Sequence, residues 1–210
     1  MATSNVVIDL SHNNSPVDLA KAAADGVLGI FHKATQGSGF VDPTYPDRRK
    51  AASDAKLLWG AYHFGTGADP VAQANNFLRV AALTPTDLAV LDFEENPKGP
   101  GMTLDQAHTF IKTVQDAAGI TPGLYGGSLL KTLLGSTPDP ILGACWLWWA
   151  QYGPKPMISP NWTDWTLWQY TDGHHGNPPF EVDGIGACDR DQYNGSSDDL
   201  QSKWVTGSLL

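Results

Sequence analysis

The chain has 210 residues, 41% of them hydrophobic and 17% charged, and a formal net charge of -9. That length fits one domain able to bury a core, the composition excludes a disordered chain, and no apolar run approaches the ~20 residues that cross a bilayer. The acidic balance argues against nucleic acid, whose binding takes clustered Lys and Arg.

Val6 to Ser11 reads as the first strand. A helix is expected next, with Ser15 as N-cap, Pro16 at its first position and Gly26 closing it. Gly29 to Thr35 is a second strand, and Asp42-Pro43 is expected to cap a helix running to about Lys56. Leu57 to Phe64 is a third strand, followed by a helix opened by Asp69-Pro70. Leu88 to Glu94 is a fourth strand, and Thr103-Leu-Asp-Gln106 predicts a capping box for a helix ending at Gly119. Pro122 to Tyr125 is a fifth strand, with a helix from Ser128 to Leu134. The rhythm then changes. Ala144 to Tyr152, Trp165 to Tyr170 and Gly186 to Tyr193 are strand-like, separated by stretches rich in Pro, Gly, Asn and Asp without helical periodicity. The fold class is therefore α/β: a TIM-like barrel of five strand-helix units followed by three strands lacking regular helices. No repeat or linker divides the chain, so residues 1–210 are read as a single catalytic barrel domain.

In such a barrel the working residues lie at the C-terminal ends of the strands. Asp92 and Glu94, two apart after Ala89-Val-Leu91, leave one face of a strand there. Like-charge repulsion raises one carboxyl pKa of such a pair, giving the acid and the carboxylate that glycoside cleavage uses. The bland alternative is an acid solvated at the strand end or paired with a base. Asp9, after Val6-Val-Ile8, and Asp189, in the last strand, become neighbours when the barrel closes. For Asp189 the competing account is an ion pair with Arg190 or Lys33, and for Asp9 a loop-anchoring role. Sugar rings also stack on aromatic faces, and the chain has eight Trp and six Tyr. Tyr62, Tyr125, Trp148 and Gln169 fall where a pocket wall would be, although core packing is the default for any Trp.

The histidines, including His12 and the pair His174-His175, have no metal-ligand spacing, and no metal or other cofactor is expected. There is no phosphate loop and no Gly-x-Ser-x-Gly elbow. Cys145 and Cys188 match no zinc or redox motif and are read as buried thiols.

Ile8-Asp-Leu-Ser-His12, Lys33-Ala-Thr-Gln-Gly37, Gly60-Ala-Tyr-His-Phe64, Leu91-Asp-Phe-Glu94, Trp168-Gln-Tyr170 and Asp189-Arg-Asp-Gln-Tyr-Asn-Gly195 occur in that order. In this the chain resembles the glycoside hydrolase family 25 lysozymes, the Chalaropsis-type muramidases, from about Val6 to Gly195. Gln36 stands where many members have Glu, and Asn13-Asn14 where many have Trp-Gln. The resemblance implies the same barrel, an acidic cluster of Asp9, Asp92, Glu94 and Asp189, and a pocket tyrosine at Tyr62. It also implies cleavage of the β-1,4 bond between N-acetylmuramic acid and N-acetylglucosamine in peptidoglycan. Glu94 is the expected acid and base of a retaining reaction. Asp92 is expected to assist the substrate's 2-acetamido group, the alternative being direct attack. Tyr62, Tyr125, His12, Trp148 and Gln169 are the expected substrate contacts. A non-catalytic glycan-binding barrel and a hydrolase of chitin-like N-acetylglucosamine polymers are the competing functions.

Peptidoglycan glycan strands are the expected partner, with no nucleic acid and no membrane insertion, and the protein is expected to be a monomer. Met1-Ala-Thr-Ser-Asn5 shows no secretory leader. The expected place of action is the cell wall, periplasmic or extracellular, after release or delivery. A phage endolysin, an injected effector and a secreted enzyme all fit that.

Overall fold

The computed structural model describes residues 3–210; Met1 and Ala2, within the segment expected to carry no secretory leader, lie outside the described residues. The strands and helices alternate as β1 (Ser4–Leu10), α1 (Leu19–Ala24), β2 (Gly29–Gln36), β3 (Phe40–Val41), α2 (Tyr45–Asp54), β4 (Leu58–Phe64) and α3 (Pro70–Ala81). Then come β5 (Leu88–Asp92), α4 (Leu104–Ala118), β6 (Gly123–Gly126), α5 (Ser128–Leu134), β7 (Leu147–Ala150) and β8 (Leu167–Thr171). The chain ends with β9 (Glu181–Val182), β10 (Gly186–Ala187), β11 (Asp189–Tyr193) and α6 (Ser197–Trp204).

Eight strands close into a barrel in the order β1, β2, β4, β5, β6, β7, β8, β11. The short β3 adds an edge beyond β2, and β9 with β10 makes a separate hairpin. The expected five strand-helix units are present. The barrel is not wholly parallel, because β11 runs antiparallel to both β1 and β8. Antiparallel neighbours can be joined at one end of a sheet, whereas parallel ones need a crossover. The chain from β8 to β11 therefore needs no helix. It brings Asp189 to the mouth at the start of its strand instead of the end.

Side chains alternate between two cores. One face of the strands packs on the helices, burying residues such as Ile8, Ile30, Leu91, Trp149 and Trp168. The other fills the barrel with Val7, Phe31, Val90 and Trp148, joined by Trp146 just before β7 and by Trp204 of α6. These interior aromatics leave no room across from them. A Cβ on Gly60 would lie 2.3 Å from Phe31, and one on Gly123 2.3 Å from Trp146.

The helix starts follow local capping chemistry, with two shifts. Asp69 caps α3 by accepting from the Ala72 N–H at 2.7 Å, and Thr103 and Gln106 form the expected capping box of α4. The first helix, however, is capped by Asp18, not Ser15, so Pro16 lies in the lead-in loop. The second begins after Thr44. Asp42 does not cap it, because its carboxylate accepts from the Thr44 N–H and hydroxyl and from the backbone and ring of His12. The helix α6, absent from the sequence reading, closes the end of the barrel away from the mouth. Its Trp204 lies 4.8 Å from Phe31 and donates to the Trp59 carbonyl. No helix among the described residues is long and apolar enough to cross a membrane.

Candidate active site

The strand register builds the mouth residue by residue. Asp9 pairs with Asp189, Lys33 with Tyr62, Phe64 with Asp92, and Asp92 with Tyr125. Asp92 is the last residue of β5, and Glu94 stands two residues beyond it, so the expected fourth strand is shorter than read. Even so, the Phe93 N–H still bonds to the Tyr125 carbonyl at 2.9 Å, which holds the extension in line with the barrel. A cavity of about 240 Å³ opens here. Asp9, Asp92, Glu94 and Asp189 all line it. So do four of the five residues expected to touch substrate: Tyr62, Tyr125, Trp148 and Gln169.

The fifth, His12, is not in this lining. It is exposed, its ring Nδ1 lies 2.9 Å from Asp42, and its face tilts against Phe40. The structure thus gives His12 a loop-anchoring partner outside the central cavity.

Gln169 organises one wall. Its Nε2 donates to Asp9 Oδ2 at 2.8 Å, while its Oε1 accepts from the hydroxyls of Tyr125 at 3.0 Å and Tyr152 at 3.2 Å. Both faces of the amide are therefore used, and Asp9 is held in one orientation. Trp148 is buried under the cavity, edge-on to Tyr125, and donates to Asp191 Oδ1 at 2.7 Å. The competing ion pairs for Asp189 do not form among the described residues: Arg190 donates to the Glu181 carbonyl and Lys33 to Gln36 Oε1.

Burial decides the protonation. It pushes Asp92 well above the usual carboxylate range, Glu94 adds to the rise, and Lys33 opposes it. Asp92 Oδ1 has no hydrogen-bond partner, so nothing there offsets the lost hydration. Glu94 is exposed at the mouth, yet the protein on its inner side still raises it, again against Lys33. Burial and the charges of Asp189 and Asp191 raise Asp9, with the Gln169 bond pulling the other way. Burial and then Asp172 bring Asp189 up to about 6. Tyr62 is raised well above its ordinary value by burial and by four surrounding carboxyls, so it stays a neutral phenol. Such a cluster favours retained protons and titrates as a unit.

Three participants escaped the sequence reading. Tyr152 sits in a strand-like segment but beyond the end of β7. Lys33 is the cation acting on both Asp92 and Glu94, and its ammonium also lies 4.6 Å over the Phe64 ring. Asp191 was legible by the alternation applied to Asp92 and Glu94, since it lies two residues from Asp189. Among the described residues no group of three or more His, Cys, Asp or Glu is arranged to hold a metal ion. Cys145 and Cys188 are buried free thiols, each pushed up to about 12 by burial.

Known proteins place this geometry. Residues 8–177 match the family described as glycosyl hydrolases family 25. The chain is 29% identical over 206 residues to the uncharacterized protein YegX of Escherichia coli (strain K12), covering 93% of this chain and 71% of that protein. It is 27% identical over 211 residues to lysozyme M1 of Streptomyces globisporus, covering 90% and 68%. Its structure is similar to that of the bacterial lysozyme from Streptomyces coelicolor, with a TM-score of 0.83, 26% identity, and 97% and 98% of the two chains covered.

Proposed function

The chain belongs to glycosyl hydrolases family 25, and from that premise we propose that it is a lysozyme cutting the β-1,4 bond between N-acetylmuramic acid and N-acetylglucosamine in peptidoglycan. It is a glycoside hydrolase. The observation that carries the chemistry is the convergence of four carboxyls, all with raised pKa, on one cavity.

Glu94 is the acid. It alone of the four carboxyl residues is exposed at the mouth, where a leaving oxygen arrives, and burial raises its pKa, which favours the protonated form an acid needs. After the glycosidic bond breaks, Glu94 acts as base toward water. Asp92, buried beneath it, orients the substrate's 2-acetamido group, whose oxygen closes on the anomeric carbon in place of an enzyme nucleophile. The net configuration is retained. Asp9, fixed by Gln169, and Asp189 position the sugar. In this proposal residues 1–210 act as one catalytic domain at the cell wall, as a monomer, with Tyr62, Tyr125, Trp148 and Gln169 as the walls of the sugar site.

The test is the identity of the new reducing end. Peptidoglycan digested by the protein, reduced with borohydride and analysed by mass spectrometry should yield reduced muramic acid at the cut. Reduced N-acetylglucosamine would overturn the bond assignment. Glu94→Gln should abolish the digestion while leaving the circular dichroism spectrum unchanged; near-normal turnover would overturn its role.

A further inference from the structure

The mouth does not end at the catalytic cavity. Glu94, Tyr125 and Tyr152 also line a second cavity of about 330 Å³ that reaches Leu129. Glu95 and Leu129 are in turn shared with a third, of about 510 Å³, between the loop after β5 and the helix α5. The three form a continuous path away from the scissile bond.

The third cavity differs in chemistry from the first. Met102, Leu104, Leu129 and Leu133 supply its walls, and no aromatic ring lines it. The helix α5 explains why. Leu130 and Leu134 face the core, whereas Leu129 and Leu133, four residues apart, form a second apolar stripe on another side. Leu133 is 47% exposed. A single exposed Leu is ordinary, but this one shares a crevice with Met102, Leu104 and Leu129, whose other sides pack on the core. Glu95, at the junction of the second and third cavities, is exposed and belongs to no ion pair among the described residues.

Sugars are held by aromatic faces and by directed hydrogen bonds, and this crevice has no aromatic face. It suits methyl groups, with a carboxylate at its entrance for an amine. Muramic acid carries such a substituent: a peptide on its lactyl ether, containing alanine methyls and, in many walls, a free amino group. The peptide branches from a sugar that adjoins the bond being cut, and the second cavity, which shares Glu94, Tyr125 and Tyr152 with the first, gives it a way out. We infer that the Leu129–Leu133 crevice, entered past Glu95, binds the stem peptide of the substrate. This rests on the muramidase reading and extends it from the glycan to its branch.

The experiment compares soluble peptide-bearing glycan fragments with the same fragments stripped of peptide by an amidase. Leu133→Asp should raise KM for the peptide-bearing fragments roughly tenfold, the loss of about one buried aliphatic contact, and leave KM for the stripped fragments and both kcat values unchanged. Glu95→Gln should raise KM for peptides with a free amine and not for the same peptides after N-acetylation. Equal effects of Leu133→Asp on both substrates, or none on either, would overturn the inference and spare the muramidase reading. A wild-type protein that cleaves neither substrate overturns both.

Discussion

Lys33 is the least expected member of the site. It follows Phe31 by two residues on β2, so it shares the inward face of the barrel, but it lies one layer nearer the mouth. Its partners are neutral: the Gln36 side-chain oxygen at 2.8 Å and the Phe64 ring. Because Gln36 carries no charge, the field of Lys33 falls on the carboxyls around it. Burial, aided by Lys98, lowers Lys33 on balance although Asp92, Asp42 and Glu94 support its ammonium, and Tyr62 faces it across the strands as a neutral phenol. Lys33 in turn lowers the pKa of both Asp92 and Glu94. Replacing it by Met removes a cation that favours their ionised forms. Both pKa values then rise, and both limbs of the activity profile move to higher pH, by about half to one pH unit. The check is kcat/KM against pH for wild type and Lys33→Met. A uniform loss of rate with unmoved limbs would mean that Lys33 only supports the packing. Its part was not legible in sequence, because a Lys inside a motif says nothing of what its ammonium meets. Asp9, Asp92, Glu94 and Asp189 were legible, since an acid interrupting an apolar strand near its end is costly unless it is exposed or used. His12 was nominated through a motif, and its side chain instead meets Asp42, thirty residues away in sequence.

At the scale of the element, the far end of the barrel matters as much as the mouth. The helix α6 is only Ser197–Trp204, but Trp204 is fully buried against Phe31 and bonds the Trp59 carbonyl at 3.0 Å. Trp204→Ala would open a void beneath the barrel interior and remove the bond to that carbonyl. The expected loss is about 3–5 kcal/mol, measured as a drop in the denaturant midpoint with the slope unchanged. A loss under about 1 kcal/mol would mean that the helix is a loose appendage. The long helices and the strand order were readable because capping residues and alternation are local signals: Asp69 and Thr103 mark α3 and α4 directly. The helix α6 had a signal of its own, Ser196 as N-cap with Asp198 and Asp199 in the first turn. With only Leu200 and Trp204 as its buried pair, it lacked the length that periodicity needs. The direction of β11 was not readable at all, since alternation along a strand is the same in both directions.

Across the whole molecule, two buried histidines and the acidic cluster pull stability in opposite directions along the pH axis. Burial lowers His32 and His63 from 6.5 to about 4. Both are neutral in the fold, with His32 Nδ1 on the Lys33 carbonyl and His63 between Thr35 and Gln73. Between about pH 4 and 6.5 the unfolded chain binds more protons at these two, so their share of stability grows as pH rises through that window. The acidic cluster does the reverse. Asp9, Asp92, Glu94 and Asp191 are raised, and Asp189 is raised to about 6. The folded state then holds the extra protons, and stability falls as pH climbs from the usual carboxylate range through the raised values. The lowered carboxyls Asp42, Asp139 and Asp172 side with the histidines, so the raised cluster is what makes stability fall toward alkaline pH. Asp191 offers the cleanest check. It is fully buried, Oδ1 accepts from Trp148, and Oδ2 has no partner, so its charge is opposed by burial and by Asp189 and favoured by the Trp148 bond and by Arg190. It is absent from the cavity lining. Asp191→Asn keeps an acceptor for Trp148 and cannot ionise. The variant should gain stability over wild type at pH 8 and little at pH 4, each kcal/mol regained raising the melting midpoint by about 2–4 °C in a chain of this size. Melting curves at the two pH values decide it: an equal difference at both, or a less stable variant at pH 8, would show that the buried carboxyl at Asp191 is not working against the fold.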